Sequence, residues 1–407
     1  MSITVTTLFV VLIFLPQPFF ISKDAYRYIW DGMLIIKGEN PYLYVPEDEK
    51  LKKYWEQDKL LARNKDPKAT KTYQLYQNLD WKGLHTPYPP FAQFIFGLSY
   101  LAYMQFGIIG VRIILCLPIF VLAYLLYKNQ SQKLACLLLL NPLVVSEIYY
   151  SAHIDSYVLL FIYLAITTFE KQKEIKASFW TALGFITKLY PAFLVPFFTA
   201  KLIKEKKFRL LAICASCFML ISVIAWAPFI NHGFEPIKRY LTLPDEQEYN
   251  ASIYRWTYQI LEKQNILNAN NCGAKQNCQS LTEEKQVAKY ASLAILIIGT
   301  IYLMSKDFSI NVLLSAGILY LFVSPLVFPW HTLFLIPLVF ISVMKNKNYK
   351  LLIPLFLYQV IVAWAYFEPQ SKSTRDLMLN IEYALAIVLI ILYAFILKNQ
   401  YKFDYRK

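Results

Sequence analysis

Long apolar blocks dominate the chain. Residues 3–21, 108–127, 134–150, 210–230 and 381–397 each approach the ~20 consecutive apolar residues that cross a bilayer's hydrocarbon core. They predict an all-α, multi-pass transmembrane helical protein, a single transmembrane domain over residues 1–407 with about ten or more membrane-spanning or membrane-embedded segments. Residues 3–21 read as a retained first helix. No basic residue precedes them, and Pro16-Gln17-Pro18-Phe19-Phe20 lacks the small residues of a signal-peptide cleavage site.

Two polar stretches interrupt this pattern, residues 22–88 and 231–289. Both are too long for plain turns. Both are rich in Tyr and Trp, which predicts loops folded against the membrane surface. Within the first, Leu51, Tyr54, Trp55, Leu60 and Leu61 share one helical face, the pattern of an interfacial amphipathic helix.

The short loops set the orientation. Lys171, Lys173 and Lys176 mark one, and Lys201, Lys204, Lys206, Lys207 and Arg209 another. Lys345, Lys347 and Lys350 mark a third, and Lys402, Arg406 and Lys407 end the chain. The positive-inside rule assigns these to the cytoplasm and both long polar stretches to the extracytoplasmic side. Two places strain the count. Between Tyr88 and Lys128 lie two apolar runs, so either the shorter is re-entrant or the loop at 128–133 breaks the rule. Residues 179–200 are interrupted by Lys188, Pro191 and Pro196.

Composition agrees with this class. Charged residues make up 17% of the chain, against about a quarter in soluble proteins. The net charge of +14 sits in short loops between apolar blocks, which leaves no basic domain to bind nucleic acid. Cys116, Cys136, Cys214 and Cys217 fall in apolar blocks and read as small hydrophobes. Cys272 and Cys278 share one polar loop, either as a disulfide or as two thiols.

Four clusters carry candidate chemistry. The first follows the first helix, Lys23-Asp24-Ala25-Tyr26-Arg27-Tyr28-Ile29-Trp30-Asp31. An acid held where a helix leaves the membrane is placed to deprotonate a hydroxyl acceptor while a lipid-borne donor lies in the bilayer. The second is Asn141-Pro142 with Glu147, His153 and Asp155. Ionisable groups at membrane depth are costly and line functional cavities or pair with one another. The third is Lys188 in Thr187-Lys188-Leu189-Tyr190-Pro191, a cation that needs a phosphate or carboxylate partner, or else snorkels. The fourth is Pro329-Trp330-His331, in which His331 is a donor for a phosphate or sugar or part of an interfacial aromatic belt. There is no Gly-rich phosphate loop, no His-Glu-x-x-His and no zinc spacing, so neither a metal nor a cofactor is expected.

Taken in this order, the clusters resemble the type C membrane glycosyltransferases, and among them the polyprenol-phosphate-mannose-dependent mannosyltransferases. The likeness runs through Asp24, Gly38-x-Asn40-Pro41-Tyr42, Tyr88-Pro89-Pro90, Asn141-Pro142, His153-x-Asp155, Lys188-x-x-Pro191 and Pro329-Trp330-His331. It departs where eukaryotic members carry Asp-x-Asp, since this chain has Lys23-Asp24-Ala25, and where bacterial relatives often have Asn, since this chain has Ile154.

The resemblance implies an enzyme that transfers a hexose, mannose by analogy, from a polyprenyl-phosphate sugar to a lipid-linked or glycan acceptor. The transfer would be an inverting single displacement on the extracytoplasmic face of a bacterial cytoplasmic membrane. It assigns catalysis to Asp24 or Asp31, and substrate binding to Arg27, Tyr88, Glu147, His153, Asp155, Lys188 and His331. The alternative is a secondary transporter with a Lys/Glu/Asp/His pathway through the membrane.

Overall fold

The computed structural model describes residues 13–19, 22–56, 71–129, 131–230, 252–264, 283–324, 327–363 and scattered positions from 381 to 396. Every regular element among them is helical. The chain forms two compact units, one of Met1–Ala192 with Phe208–Leu241, the other of Phe193–Lys207 with Thr242–Lys407.

The first unit begins with α1 (Asp24–Ile36) and α2 (Lys71–Gln77), followed by α3 (Pro90–Phe106) and α4 (Ile108–Lys128). After α5 (Gln132–Leu139) come α6 (Asp155–Glu170) and α7 (Glu174–Phe185). Helix α8 (Leu194–Lys204) belongs to the second unit, and α9 (Phe208–Trp226) returns to the first.

Helices α1 and α3 meet backbone to backbone. A Cβ added at Gly32 would lie 1.9 Å from the carbonyl oxygen of Phe96, so only glycine permits this crossing. Helix α3 starts at Pro90, whose missing N–H costs nothing at a first helical position, after an extended Pro89. It ends at Gly107, whose φ of 62° is left-handed and suits a residue without Cβ. From there α4 folds back along α3. Leu51 and Trp55, predicted on an amphipathic face, are buried within this unit, and the Trp55 ring stacks on Tyr76 of α2 at 4.3 Å. The regular stretch there is a 3-10 turn over Glu49–Tyr54, and residues 57–61 lie outside the described residues.

The link from α5 to α6 shapes the site. Asn141 caps the next turn, its side chain accepting from the N–H groups of Leu143 at 2.9 Å and Val144 at 3.1 Å, with Pro142 in first position. The turn widens into a π-helical stretch over Val145–Tyr150, bent by 46° from α5. Ala152 then takes a left-handed φ of 58°, and the His153 N–H closes the turn onto the Glu147 carbonyl at 2.9 Å.

The second unit contains α8, α10 (Ile253–Gln264), α11 (Glu283–Ser305), α12 (Ile310–Val323), α13 (Leu335–Asn346) and α14 (Leu352–Ala363). Lys204 of α8 donates to the Ser305 and Lys306 carbonyls at the end of α11, where a cation suits the helix dipole.

The described residues hold three helices long and apolar enough to cross a membrane, Ile108–Lys128, Phe208–Phe229 and Lys285–Ser305, or four if the bent pair at Gln132–Leu139 and Pro142–Tyr150 is one span. This is fewer than the ten or more segments that the apolar pattern suggests. Part of the reason is that proline, glycine and polar residues cut the other runs short. Residues 179–200, for example, split around Lys188 and Pro191 into α7 and α8. Most of the first apolar block and much of the last lie outside the described residues, as do Cys272 and Cys278. The long spans are lipid-facing in character. Met219, Leu220, Val223 and Ile224 on α9, and Ile297, Ile298 and Ile301 on α11, are exposed. The chain is an all-α, multi-pass integral membrane protein.

Candidate functional site

The first turn of α1 presents Asp24, with its own N–H held by the Ser22 hydroxyl at 3.3 Å. A carboxylate is favoured there by the helix dipole. One turn on, Tyr28 is enclosed, its ring stacked on Phe96 of α3 at 4.3 Å. Tyr88 arrives from the extended segment ahead of α3 and donates its hydroxyl proton to Asp24 Oδ2 at 3.1 Å. The backbone carbonyl of Tyr88 is fixed by the Tyr42 hydroxyl at 2.9 Å, while Asn40 holds the Tyr42 N–H at 2.9 Å. This gives a physical role to the Asn40-Pro41-Tyr42 and Tyr88-Pro89-Pro90 segments: they seat the Tyr88 side chain beside Asp24.

The π-helical turn brings up the second cluster from below. His153 Nδ1 lies 3.3 Å from the Tyr28 hydroxyl and 3.8 Å from Asp24 Oδ2. His153 Nε2 lies 3.4 Å from Glu147 Oε2, and Ser146 donates to the other Glu147 oxygen at 3.0 Å. One imidazole therefore stands between two carboxylates. Beside it, Lys188 Nζ donates to Asp155 Oδ2 at 2.7 Å, and the Tyr190 hydroxyl donates to Asp155 Oδ1 at 3.0 Å. The lysine that sequence leaves in search of a partner has found a carboxylate. Its ammonium lies 6.0 Å from the centre of the Tyr88 ring, and among the described residues two of its three N–H donors have no protein acceptor.

Exposure sorts these groups. The side chains of His153, Glu147 and Asp155 are fully enclosed, Lys188 is 10% exposed, and Asp24 keeps 30%. Asp24 is thus the open carboxylate of a network in which Glu147 and Asp155 are sealed. Burial holds its carboxyl above the usual aspartate range, against the opposing pull of the Lys188 charge and the Tyr88 hydrogen bond. Burial also pushes the Tyr28 and Tyr88 phenols well above their ordinary value, so both stay neutral.

Asp31 has a different setting. It is fully enclosed and accepts from Arg27 Nε at 2.8 Å, one helical turn away. Arg27 Nη1 also binds the Leu84 carbonyl at 2.9 Å, which pins the loop ahead of Tyr88 to α1. Arg27 and Asp31 therefore form a pair of their own, apart from the contacts made by Asp24. His331 belongs to the second unit, where its Nδ1 accepts from the Phe328 N–H at 3.3 Å and its ring packs against Phe328 and Trp330.

The structure thus brings together Asp24, Tyr88, Glu147, His153, Asp155 and Lys188. It adds Tyr28 and Tyr190, which sequence reasoning did not single out. The i, i+4 spacing of Tyr28 from Asp24, and the Lys188-Leu189-Tyr190-Pro191 run, were the available signals. Among the described residues no three His, Cys, Asp or Glu side chains gather in a way that would hold a metal ion.

Residues 2–204 match the family described as "Alpha-(1->6)-mannopyranosyltransferase, N-terminal domain". The matched stretch contains every member of the Asp24–Lys188 network and excludes His331. No curated protein and no solved structure matches the chain.

Proposed function

From a chain whose residues 2–204 belong to the alpha-(1->6)-mannopyranosyltransferase family, and which is accordingly a membrane mannosyltransferase, we propose a specific reaction. The donor is a polyprenyl-phosphate mannose, the acceptor a sugar hydroxyl of a lipid-linked or free glycan, and the site faces the extracytoplasmic side. The acceptor oxygen attacks the anomeric carbon as the bond from that carbon to the phosphate oxygen breaks. The acceptor proton passes to Asp24, and the bonding electron pair leaves with the phosphate. Inversion in one displacement gives an α-linked product from a β-linked donor.

The observation that carries this reading is that Asp24, 30% exposed, is the open carboxylate of a polar network whose other carboxylates, Glu147 and Asp155, are enclosed. A general base must reach the hydroxyl it deprotonates, and Asp24 has the access that Asp31 lacks. Its raised pKa brings its basicity closer to what proton abstraction at neutral pH requires. Lys188 supports the leaving phosphate. It is oriented by Asp155 and Tyr190 and has two N–H donors left for anionic oxygens. Glu147 and His153 stand behind Asp24 and hold its inner face. Arg27 and Asp31 hold the wall from which Tyr88 projects.

The test is incubation of the purified protein, in lipid, with polyprenyl-phosphate mannose and a mannoside acceptor. Polyprenyl phosphate and mannosylated acceptor should form in equal amounts. Movement of a solute across sealed vesicles without cleavage of the donor would favour the transporter instead.

A further inference from the structure

Helix α4 carries one arginine, Arg112, in an otherwise apolar run, and the proposed chemistry does not use it. It is fully buried. A buried cation is costly unless it is paired. Among the described residues Arg112 has no carboxylate partner, and its hydrogen bonds go to main-chain carbonyls. Nη1 donates to Leu15 at 2.7 Å and also to Gln17. Nη2 donates to Tyr150 at 2.8 Å and to Pro18 at 3.4 Å. The guanidinium plane sits 4.6 Å from the centre of the Phe19 ring.

Residues 13 and 14 are helical, and the chain leaves that helix at 15–18. The π-helical stretch ends at Tyr150. Carbonyls at a helix end lack an intrahelical partner and carry the negative end of its dipole. Arg112 therefore ties the turn at residues 15–18 to the end of the π-helical stretch with one planar cation. The turn leads within a few residues to Asp24, and the π-helical stretch to Ala152 and His153. The left-handed φ of 58° at Ala152, unfavourable for a residue with a Cβ, is held between this clamp and the bond from the His153 N–H to the Glu147 carbonyl.

We propose that Arg112 is a positioning residue for the transfer reaction: by gathering the carbonyls of Leu15, Gln17, Pro18 and Tyr150 it sets the spacing between Asp24 and His153. The proposal rests on Asp24 being the base. Lysine retains the charge but lacks the flat fork that spans several carbonyls at once, so Arg112→Lys should restore function only in part.

The experiment compares Arg112→Lys and Arg112→Met in two backgrounds, the native chain and Asp24→Asn, with the folded fraction of each measured by size-exclusion chromatography. In the native background Arg112→Met should lower kcat on the order of a hundredfold while the donor KM stays within about twofold, and Arg112→Lys should fall between. In the Asp24→Asn background the same change should cost nothing further, since there is no base left to position. Equal fractional loss in both backgrounds would reduce Arg112 to general stability and overturn the proposal. If Arg112→Met does not fold, Arg112→Lys carries the same two-background comparison. Full turnover in Asp24→Asn itself would instead overturn the base assignment, a result separable from any property of Arg112.

Discussion

Asp24 and Asp31 lie on one helix, seven residues apart, and meet opposite surroundings. Arg27 neutralises Asp31 inside the protein, whereas Asp24 opens outward with its charge balanced by more distant groups. Removing one partner of a buried pair leaves the other charge uncompensated, so Asp31→Asn should cost about 3–5 kcal/mol of stability. A Tm within a degree or two of the native protein would contradict that. Asp24 makes a prediction about pH. Its carboxyl is raised above the ordinary value of 3.8, so the acid limb of kcat/KM should lie above 3.8. Lys188 opposes that rise, so Lys188→Met should move the limb further up and weaken donor use. A limb that stays fixed or moves down would contradict the electrostatic picture. The sequence exposed Asp24 because it is the first acid after an apolar block. It exposed Lys188 because a lysine stands out in an apolar run. The pairing of Lys188 with Asp155 was hidden by a separation of 33 positions along the chain. Tyr28 and Tyr190 were hidden by abundance, since among 31 tyrosines no single one draws notice.

At the scale of elements, the site depends on how closely α1 approaches α3. The carbonyl of Phe96 occupies the space that a side chain at Gly32 would need, 1.9 Å from an added Cβ. Gly32→Ala must therefore push the helices apart and disturb the stacking of Tyr28 on Phe96 that lines up Asp24, Tyr28 and Tyr88. We expect a loss of about 1–3 kcal/mol in stability, as for other overpacked contacts, with turnover falling in the protein that remains folded. Native turnover and Tm in Gly32→Ala would show that the helix separation does not matter. Signals for two elements lay in the sequence, Pro89-Pro90 ahead of α3 and Asn141-Pro142 at the next turn, but the apolar pattern ran residues 134–150 together as one block. The π-helical turn was not legible, because Val145-Ser146-Glu147-Ile148-Tyr149-Tyr150 carries no residue that distinguishes a wide turn from an ordinary one. Helix α1 was obscured by its charges, which marked residues 22–88 as a polar stretch.

For the whole molecule, the apolar blocks made the class legible because a bilayer imposes both a length and a composition on anything that crosses it. The number of crossings was less legible, since broken and short helices share the same apolar composition. The proposed orientation puts the loop at 231–289 outside, so Cys272 and Cys278, reduced first if paired, should react with an impermeant thiol reagent on intact cells. Reaction only after lysis would reverse the orientation and with it the side of the reaction. The central claim is that Asp24 is the base in mannosyl transfer from a polyprenyl-phosphate donor. Its most direct test is the turnover of Asp24→Asn, in lipid with polyprenyl-phosphate mannose, beside the native protein and Asp31→Asn. Asp24→Asn should bind the donor yet release polyprenyl phosphate on the order of a hundredfold more slowly or worse, while folded Asp31→Asn keeps most of its turnover. Near-native release by Asp24→Asn would contradict the account.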